Sequence, residues 1–295
     1  MFPLIIRKML LHAYHQSLFL TKRIFGIETA KSLDAKIRFK RHINIKHPQN
    51  LAEKIAWLEY HENNTLKTKC TDKWAVRDYV KSKALDEILV PVYGSAYSAV
   101  TDLDFDNLPD QFVLKATHGC GMNLVCTNKK DIHPDEVLAT LRQWLSTTFG
   151  TYSFEPHYEK IPHRFYIEKY LGDGDAMVDY KFFCFHGKPS FVEVCSNRKS
   201  GLKLSLYDME WNRIDAITEK RYTPEQLERP KSFERMKDIA EILSKDFVFV
   251  RVDLYHIEDK VYFSELTFTP ATCVLANFKE DFLLTEGKKL TLPSL

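Results

Sequence analysis

Five polar residues near the C-terminus stand at spacings that suit phosphate and metal chemistry. Side chains alternate along a strand with period two. Arg251, Asp253 and Tyr255 therefore share one face of a strand, and Glu265 and Thr267 share one face of the next. Whether the two faces coincide depends on the turn between them. A three-residue loop pairs residues whose numbers sum to 516 or 518 and unites all five side chains, whereas a two-residue loop separates them. United, two carboxylates, a hydroxyl and a guanidinium suit a hard cation and a phosphate group. The alternative is an outward-facing, solvated surface.

Further chemistry lies upstream. Phe112-Val113-Leu114-Lys115 carries a lysine at the end of an apolar run, directly before the loop His118-Gly119-Cys120-Gly121-Met122. Glycines let a backbone approach phosphate oxygens, and a lysine supplies a point charge to the same group. The pattern is neither a Walker A loop nor a dinucleotide fingerprint, and taken alone it reads first as an ordinary hairpin turn. Lys181 interrupts the apolar strand Tyr180 to Phe185, where burying an ammonium is costly without an anion to face. The bland alternative is a lysine snorkelling from a sheet edge. Asn197 to Lys203 and Tyr152 to Arg164 are basic stretches able to receive an anionic acceptor, or else solvated loops. No Ser-His-Asp or Cys-His arrangement and no zinc-ligand spacing is present.

These residues need elements to hold them. Helices are expected over Leu51 to Tyr60, Asp72 to Lys83 with Thr71 as its cap, Pro134 to Thr147 and Ser232 to Ser244. Strands separated by short turns are expected from Ile88 onward, ending in the pair Phe247 to Tyr255 and Val261 to Phe268. Short turns impose antiparallel pairing, so the fold class is α+β and not a doubly wound parallel sheet. The 295 residues, 44% hydrophobic and 28% charged, exclude a disordered chain and a disulfide-stapled miniprotein. A net charge of +2 argues against a nucleic-acid binder. That balance is uneven: residues 1–50 hold ten cations and two anions, and the remainder carries −6. The apolar stretch Met9 to Leu20 is too short and too interrupted to span a bilayer. As a helix it either docks on the protein's own core or lies on an anionic membrane surface, so peripheral contact is assigned to residues 1–45. Six cysteines without a Cys-x-x-Cys pair read as buried thiols in a reducing cytoplasm.

Taken in order, Thr71 to Tyr79, Phe112 to Gly121, Glu168-Lys169-Tyr170, Asp179 to Gly187, Phe249 to Tyr255 and Phe263 to Pro270 resemble the ATP-grasp fold. More narrowly, they resemble the teichuronopeptide-biosynthesis, TupA-like branch of bacterial cell-surface polysaccharide clusters. The resemblance covers about residues 66 to 275. It implies two α+β subdomains, 66–170 and 171–295, holding ATP between largely antiparallel sheets, behind a basic helical region 1–65.

It also implies roles. Lys73, Lys115 and Lys181 contact nucleotide phosphates, and His118, Gly119 and Gly121 belong to the loop that covers them. Glu168 with the backbone of Lys169, Tyr170 and Leu171 receives adenine and ribose. Asp253, Glu265 and Thr267 hold Mg2+, with Thr267 standing where many ATP-grasp enzymes have Asn, and Arg251 steadies the carboxylate and the transferred phosphoryl group. Arg251, Lys181 and Lys115 are thus the catalytic set. The implied activity is a carboxylate-amine ligase working through an acyl phosphate. It joins an amino acid or amine to a uronic-acid-bearing or other surface-glycan component, in the cytoplasm at the inner face of the membrane. A glycan kinase on the same fold, or a non-catalytic nucleotide or glycan binder, is the alternative.

Overall fold

A computed structural model describes residues 4–62, 65–172, 177–196, 201–218, 222, 226–257 and 259–294. The helices are α1 (Leu4–Phe25), α2 (Ile27–Phe39), α3 (Leu51–His61), α4 (Thr65–Thr71), α5 (Val76–Ser82), α6 (Pro134–Ser146), α7 (Phe233–Ser244) and α8 (Glu280–Lys289). The strands are β1 (Val92–Tyr97), β2 (Phe112–Ala116), β3 (Asn123–Cys126), β4 (Phe165–Lys169), β5 (Val178–Phe185), β6 (Lys188–Ser196), β7 (Lys203–Asp208), β8 (Arg213–Ile214), β9 (Phe249–Ile257) and β10 (Lys260–Thr267). Every pairing between these strands is antiparallel, as the short turns require.

By its contacts the chain forms two compact units, residues 1–63 with 150–156 and 269–295, and residues 64–149 with 157–268. In the first unit, Asn50 and Glu53 close a reciprocal capping box at the start of α3. Glu280, in the first turn of α8, accepts from Asn50 Nδ2 at 2.7 Å and Arg41 Nη1 at 2.8 Å. A Cβ at Gly287 would lie 2.8 Å from the backbone of Gln49, Asn50 and Leu51, so only glycine lets α8 seat on that cap.

The second unit holds two sheets, ordered β1-β4-β2-β3 and β10-β9-β5-β6-β7-β8. In the six-stranded sheet one face is apolar. Phe182, Val192, Val252 and Leu266 there pack with Met236, Ile239 and Leu243 of α7, which recur at helical spacing. Burying each such side chain contributes about 1.5–3 kcal/mol, enough to set which face of every strand points inward. In the four-stranded sheet, Phe112, Leu114, Phe165 and Ile167 pack with Val137 and Leu141 of α6. The alternating residues Lys115, Tyr166 and Glu168 consequently share the opposite face.

One helix start differs from expectation. Thr71 is the last residue of α4, its hydroxyl donating to Lys67 O at 2.8 Å. Asp72 takes the turn instead: its Oδ1 accepts from the amides of Trp74 and Ala75 at 2.8 and 3.1 Å, and α5 begins only at Val76. A carboxylate one residue on competes better than the hydroxyl for those amides. No disulfide joins the six cysteines; five are buried and Cys120 is exposed. Among the described residues, no helix is long and apolar enough to cross a membrane.

Candidate active site

The hairpin β9–β10 unites its polar residues by a route the turn length does not suggest. Lys260 pairs with Ile257 and Phe263 with Leu254, so the register begins at a sum of 517, the two-residue connection that would separate the side chains. A β-bulge between Phe263 and Glu265 then adds one residue, Ser264. Beyond it Glu265 faces Asp253 and Thr267 faces Arg251, a sum of 518. Phe263, before the bulge, stays in the apolar core, whereas Glu265, two residues later, reaches the polar face.

On that face every cation meets a carboxylate. Asp253 is wholly buried; its Oδ1 accepts from Arg251 Nε at 2.7 Å and its Oδ2 from Arg251 Nη2 at 2.6 Å and Lys181 Nζ at 2.5 Å. Lys181 reaches it from β5, where it is the register partner of Asp253 on one side and of Glu193 of β6 on the other. Thr267 Oγ1 accepts from Arg251 Nη2 at 3.1 Å and donates to Glu265 Oε1 at 3.2 Å. Lys73 Nζ donates to Glu265 Oε2 at 2.9 Å, while its backbone N–H donates to Thr117 O at 3.0 Å. The lysine is thereby tied both to the carboxylate and to the start of the glycine loop.

Burial alone would lower the pKa values of Lys73 and Lys181; Glu265 and Asp253 respectively reverse this, and both lysines stay charged. Burial would raise Glu265, but Lys73, Lys181 and Arg251 hold its carboxyl well below the usual range. A folded-state pKa below the unfolded one stabilises at neutral pH and loses that stabilisation as pH falls through the folded value. The stability difference between the native chain and Glu265→Gln is therefore expected to be constant above about pH 5 and to shrink in stronger acid. Urea unfolding of both proteins across that range measures it.

A second cluster lies on the four-stranded sheet. Glu168 is buried in an ion pair with Lys115 of β2, and Arg77 of α5 stands 3.9 Å from its other oxygen. Glu168 overrides the burial of Lys115 and raises its pKa. Glu168 and Lys115 border a cleft of about 270 Å³. Lys169, Tyr170 and Tyr255 complete its polar rim, and Val113, Val125, Leu171 and Met177 give it apolar walls. Tyr255 lies on the face of β9 that carries Arg251 and Asp253, so cleft and charge cluster adjoin.

Three parts of the expected site are placed otherwise or lie outside description. His118 is fully buried; its Nε2 lies 3.0 Å from Trp144 O and its ring stacks on His163 at 4.1 Å. Gly119 packs so closely that a Cβ would meet the Met122 methyl at 2.7 Å, and Gly121 has φ +72°, which favours glycine. The stretch Tyr152 to Arg164 is dispersed: Tyr152 stacks on His15, and Arg164 Nη2 pairs with Asp72 Oδ2 at 2.9 Å. Of the basic turn Asn197 to Lys203, residues 197–200 lie outside the described residues. Two neighbours of the site escaped sequence reasoning, Arg77 and Glu193. For Glu193 a signal existed, since a carboxylate in Phe191-Val192-Glu193-Val194-Cys195 is as conspicuous as Lys181 in its own strand.

The chain belongs to the ATP-grasp proteins of the family described as TupA-like ATPgrasp, which matches residues 53–290. Comparison with curated proteins finds no match. Among solved structures, the chain is similar to D-alanine-D-alanine ligase from Helicobacter pylori, with 15% identity over 83% of this chain and 70% of that one and a TM-score of 0.43. It is similar to D-alanine–D-alanine ligase from Bacillus anthracis complexed with ATP, with 17% identity over 68% and 55% and a TM-score of 0.40. It is also similar to carboxyaminoimidazole ribonucleotide synthase from Aspergillus clavatus complexed with ATP, with 11% identity over 68% and 45% and a TM-score of 0.43.

Proposed function

We propose that this chain is an ATP- and magnesium-dependent ligase that activates a carboxylate as an acyl phosphate and joins it to an amine. The observation that carries the reading is the charge cluster Lys73, Lys181, Arg251, Asp253, Glu265 and Thr267 on one sheet face. Phosphoryl transfer needs positioning and charge neutralisation on oxygen more than a nucleophilic side chain. Because each cation faces a carboxylate, the lysines and the arginine are held charged and in place for phosphate oxygens, whose charge a divalent cation would partly neutralise.

The cleft beside Glu168 takes the adenosine moiety, with the backbone of Lys169 to Leu171 at its edge. Lys115 and Lys73 reach the phosphates from the side of the glycine loop, where Gly121 leaves the backbone accessible and the buried Gly119 and His118 anchor the loop's base. Lys181 holds a further phosphate. Arg251 orients the acceptor carboxylate, whose oxygen takes the γ-phosphoryl group as ADP leaves. The amine then attacks the acyl carbon, a proton is lost from nitrogen, and phosphate departs. Asp253, Glu265 and the Thr267 hydroxyl form a hard-oxygen donor set of the kind that would hold Mg2+. Bound there, the ion supplies Lewis-acid neutralisation of the phosphate charge.

The subdomain boundary near residue 170 then falls between the two sheets. As acceptor we propose a surface-polysaccharide component, uronic-acid-bearing or otherwise carboxylated, and an amino acid or amine as nucleophile, handled at the cytoplasmic face of the membrane. Incubation with ATP, Mg2+, hydroxylamine and a panel of uronic acids and amino acids tests the chemistry. Hydroxamate with stoichiometric ADP and phosphate is expected for one carboxylate of the panel. ADP formation with a phosphorylated glycan and no hydroxamate would replace the ligase by a kinase.

A further inference from the structure

Helix α1 has two faces with different fates. One packs within its own unit: Leu18 is buried against Ala30 and Phe154, Tyr14 donates to Asp34 at 2.7 Å, and His15 stacks on Tyr152. The other is an apolar stripe in solvent. Ile6, Met9, Leu10, Leu20 and Ile24 recur at helical spacing along it and are 40–66% exposed, with the small exposed residues Ala13 and Ser17 completing the stripe. Monomeric soluble proteins rarely leave such a row of large side chains uncovered.

The surrounding charge identifies what covers it. Both acids of residues 1–50 are occupied internally: Glu28 pairs with His61 at 2.6 Å, and Asp34 is wholly buried between Tyr14 and Arg38. Every charged side chain that α1, α2 and the α2 C-cap expose, among the described residues, is therefore a cation: Arg23, Lys36, Arg38 and Lys40. Exposed Ile37 sits among the last three. A second copy of this chain would bring like charges together, whereas an anionic lipid surface neutralises them while its acyl boundary takes the stripe. Both helices lie outside the family match at residues 53–290, so the catalytic fold does not require the stripe.

We infer that α1 docks flat on an anionic phospholipid bilayer through Ile6, Met9, Leu10, Leu20 and Ile24, with Arg23, Lys36, Arg38 and Lys40 facing the headgroups. It lies in the interface and does not span it. Vesicle docking does not depend on which reaction the catalytic unit performs, so the two are measured separately.

The test is co-sedimentation of the full chain with vesicles of phosphatidylcholine alone and of phosphatidylcholine with equimolar phosphatidylglycerol, at low and high salt. Binding is expected to the anionic vesicles, to weaken with salt, and to be much poorer on neutral ones. Leu20→Glu with Ile24→Glu should reduce it at least about tenfold through the apolar term, and Lys36→Glu with Lys40→Glu about tenfold or more through the charge term. These side chains are exposed, so circular dichroism should show both variants folded, and ATP turnover away from vesicles should be unchanged. No binding of the native chain to anionic vesicles, or binding that survives both variants, overturns the inference. So does light scattering that shows a dimer converted to monomer by the stripe variant, which would assign the face to a second copy.

Discussion

Replacing Asp253 by Asn is expected to abolish ATP turnover, by about a thousandfold or more, because it strikes both the donor set proposed for Mg2+ and the partner of two cations. Arg251 places both its Nε and Nη2 on this carboxylate, and Lys181 shares one of the same oxygens. The amide keeps the shape but removes the charge, leaving a guanidinium and an ammonium uncompensated in a buried site. Breaking a buried pair in this way costs about 3–5 kcal/mol, so a lower urea midpoint should accompany the lost activity. Glu265→Gln separates the two effects. Glu265 keeps 29% of its side chain exposed, so its variant should lose turnover with a smaller loss of stability. Full activity in both variants, measured as acceptor-dependent phosphate release, would end the assignment of Asp253 and Glu265 to the metal.

A second large effect follows from the bulge and has an unusual sign. Inserting one alanine between Glu265 and Leu266 should be far more damaging than deleting Ser264. After the deletion, Glu265 follows Phe263 directly and still falls opposite Asp253, with Thr267 opposite Arg251; the strand loses its bulge and keeps its faces. After the insertion, keeping the bulge turns Leu266 and Phe268 toward the polar face and Thr267 inward, whereas losing it restores them but turns Glu265 toward the α7 side. The first exposes two large apolar residues at about 1.5–3 kcal/mol each, and the second buries a carboxylate without a partner at several kcal/mol. Either cost is a large fraction of the total stability of an ordinary domain, about 5–15 kcal/mol. Circular dichroism and urea unfolding should show the deletion variant folded within about 2 kcal/mol of native and the insertion variant largely unfolded. Equal behaviour of the two would mean that the bulge does not set the facing of β10.

Much of this was legible in the amino-acid order. Alternation over Phe112 to Lys115 and Tyr180 to Phe185 marked Lys115 and Lys181 as charged residues on otherwise apolar strands. Short turns required antiparallel pairing, and all the strand pairings follow it. Even the bulge left a trace: Val261 and Phe263 share one phase, Leu266 and Phe268 the other, and all four pack on the same core. Local physics does not say how that slip is resolved. No turn length alone puts both pairs on one face, so a bulge is needed between Phe263 and Leu266, and its position rests on which partners β9 and α7 present.

The sequence by itself determined the chemistry available to this protein. Side-chain type and period-two spacing place Arg251 with Asp253 and Glu265 with Thr267 whatever the rest of the chain does, because alternation is a property of a single strand. Only the tertiary structure decided which charges meet. Lys73 joins Glu265 across 192 positions, and Lys181 joins Asp253 across 72. His118, in line with the glycines in sequence, turns inward to Trp144 and His163. Such contacts are fixed by the burial of apolar faces elsewhere in the two sheets, and Coulomb attraction then selects partners among whatever charges that packing brings within reach.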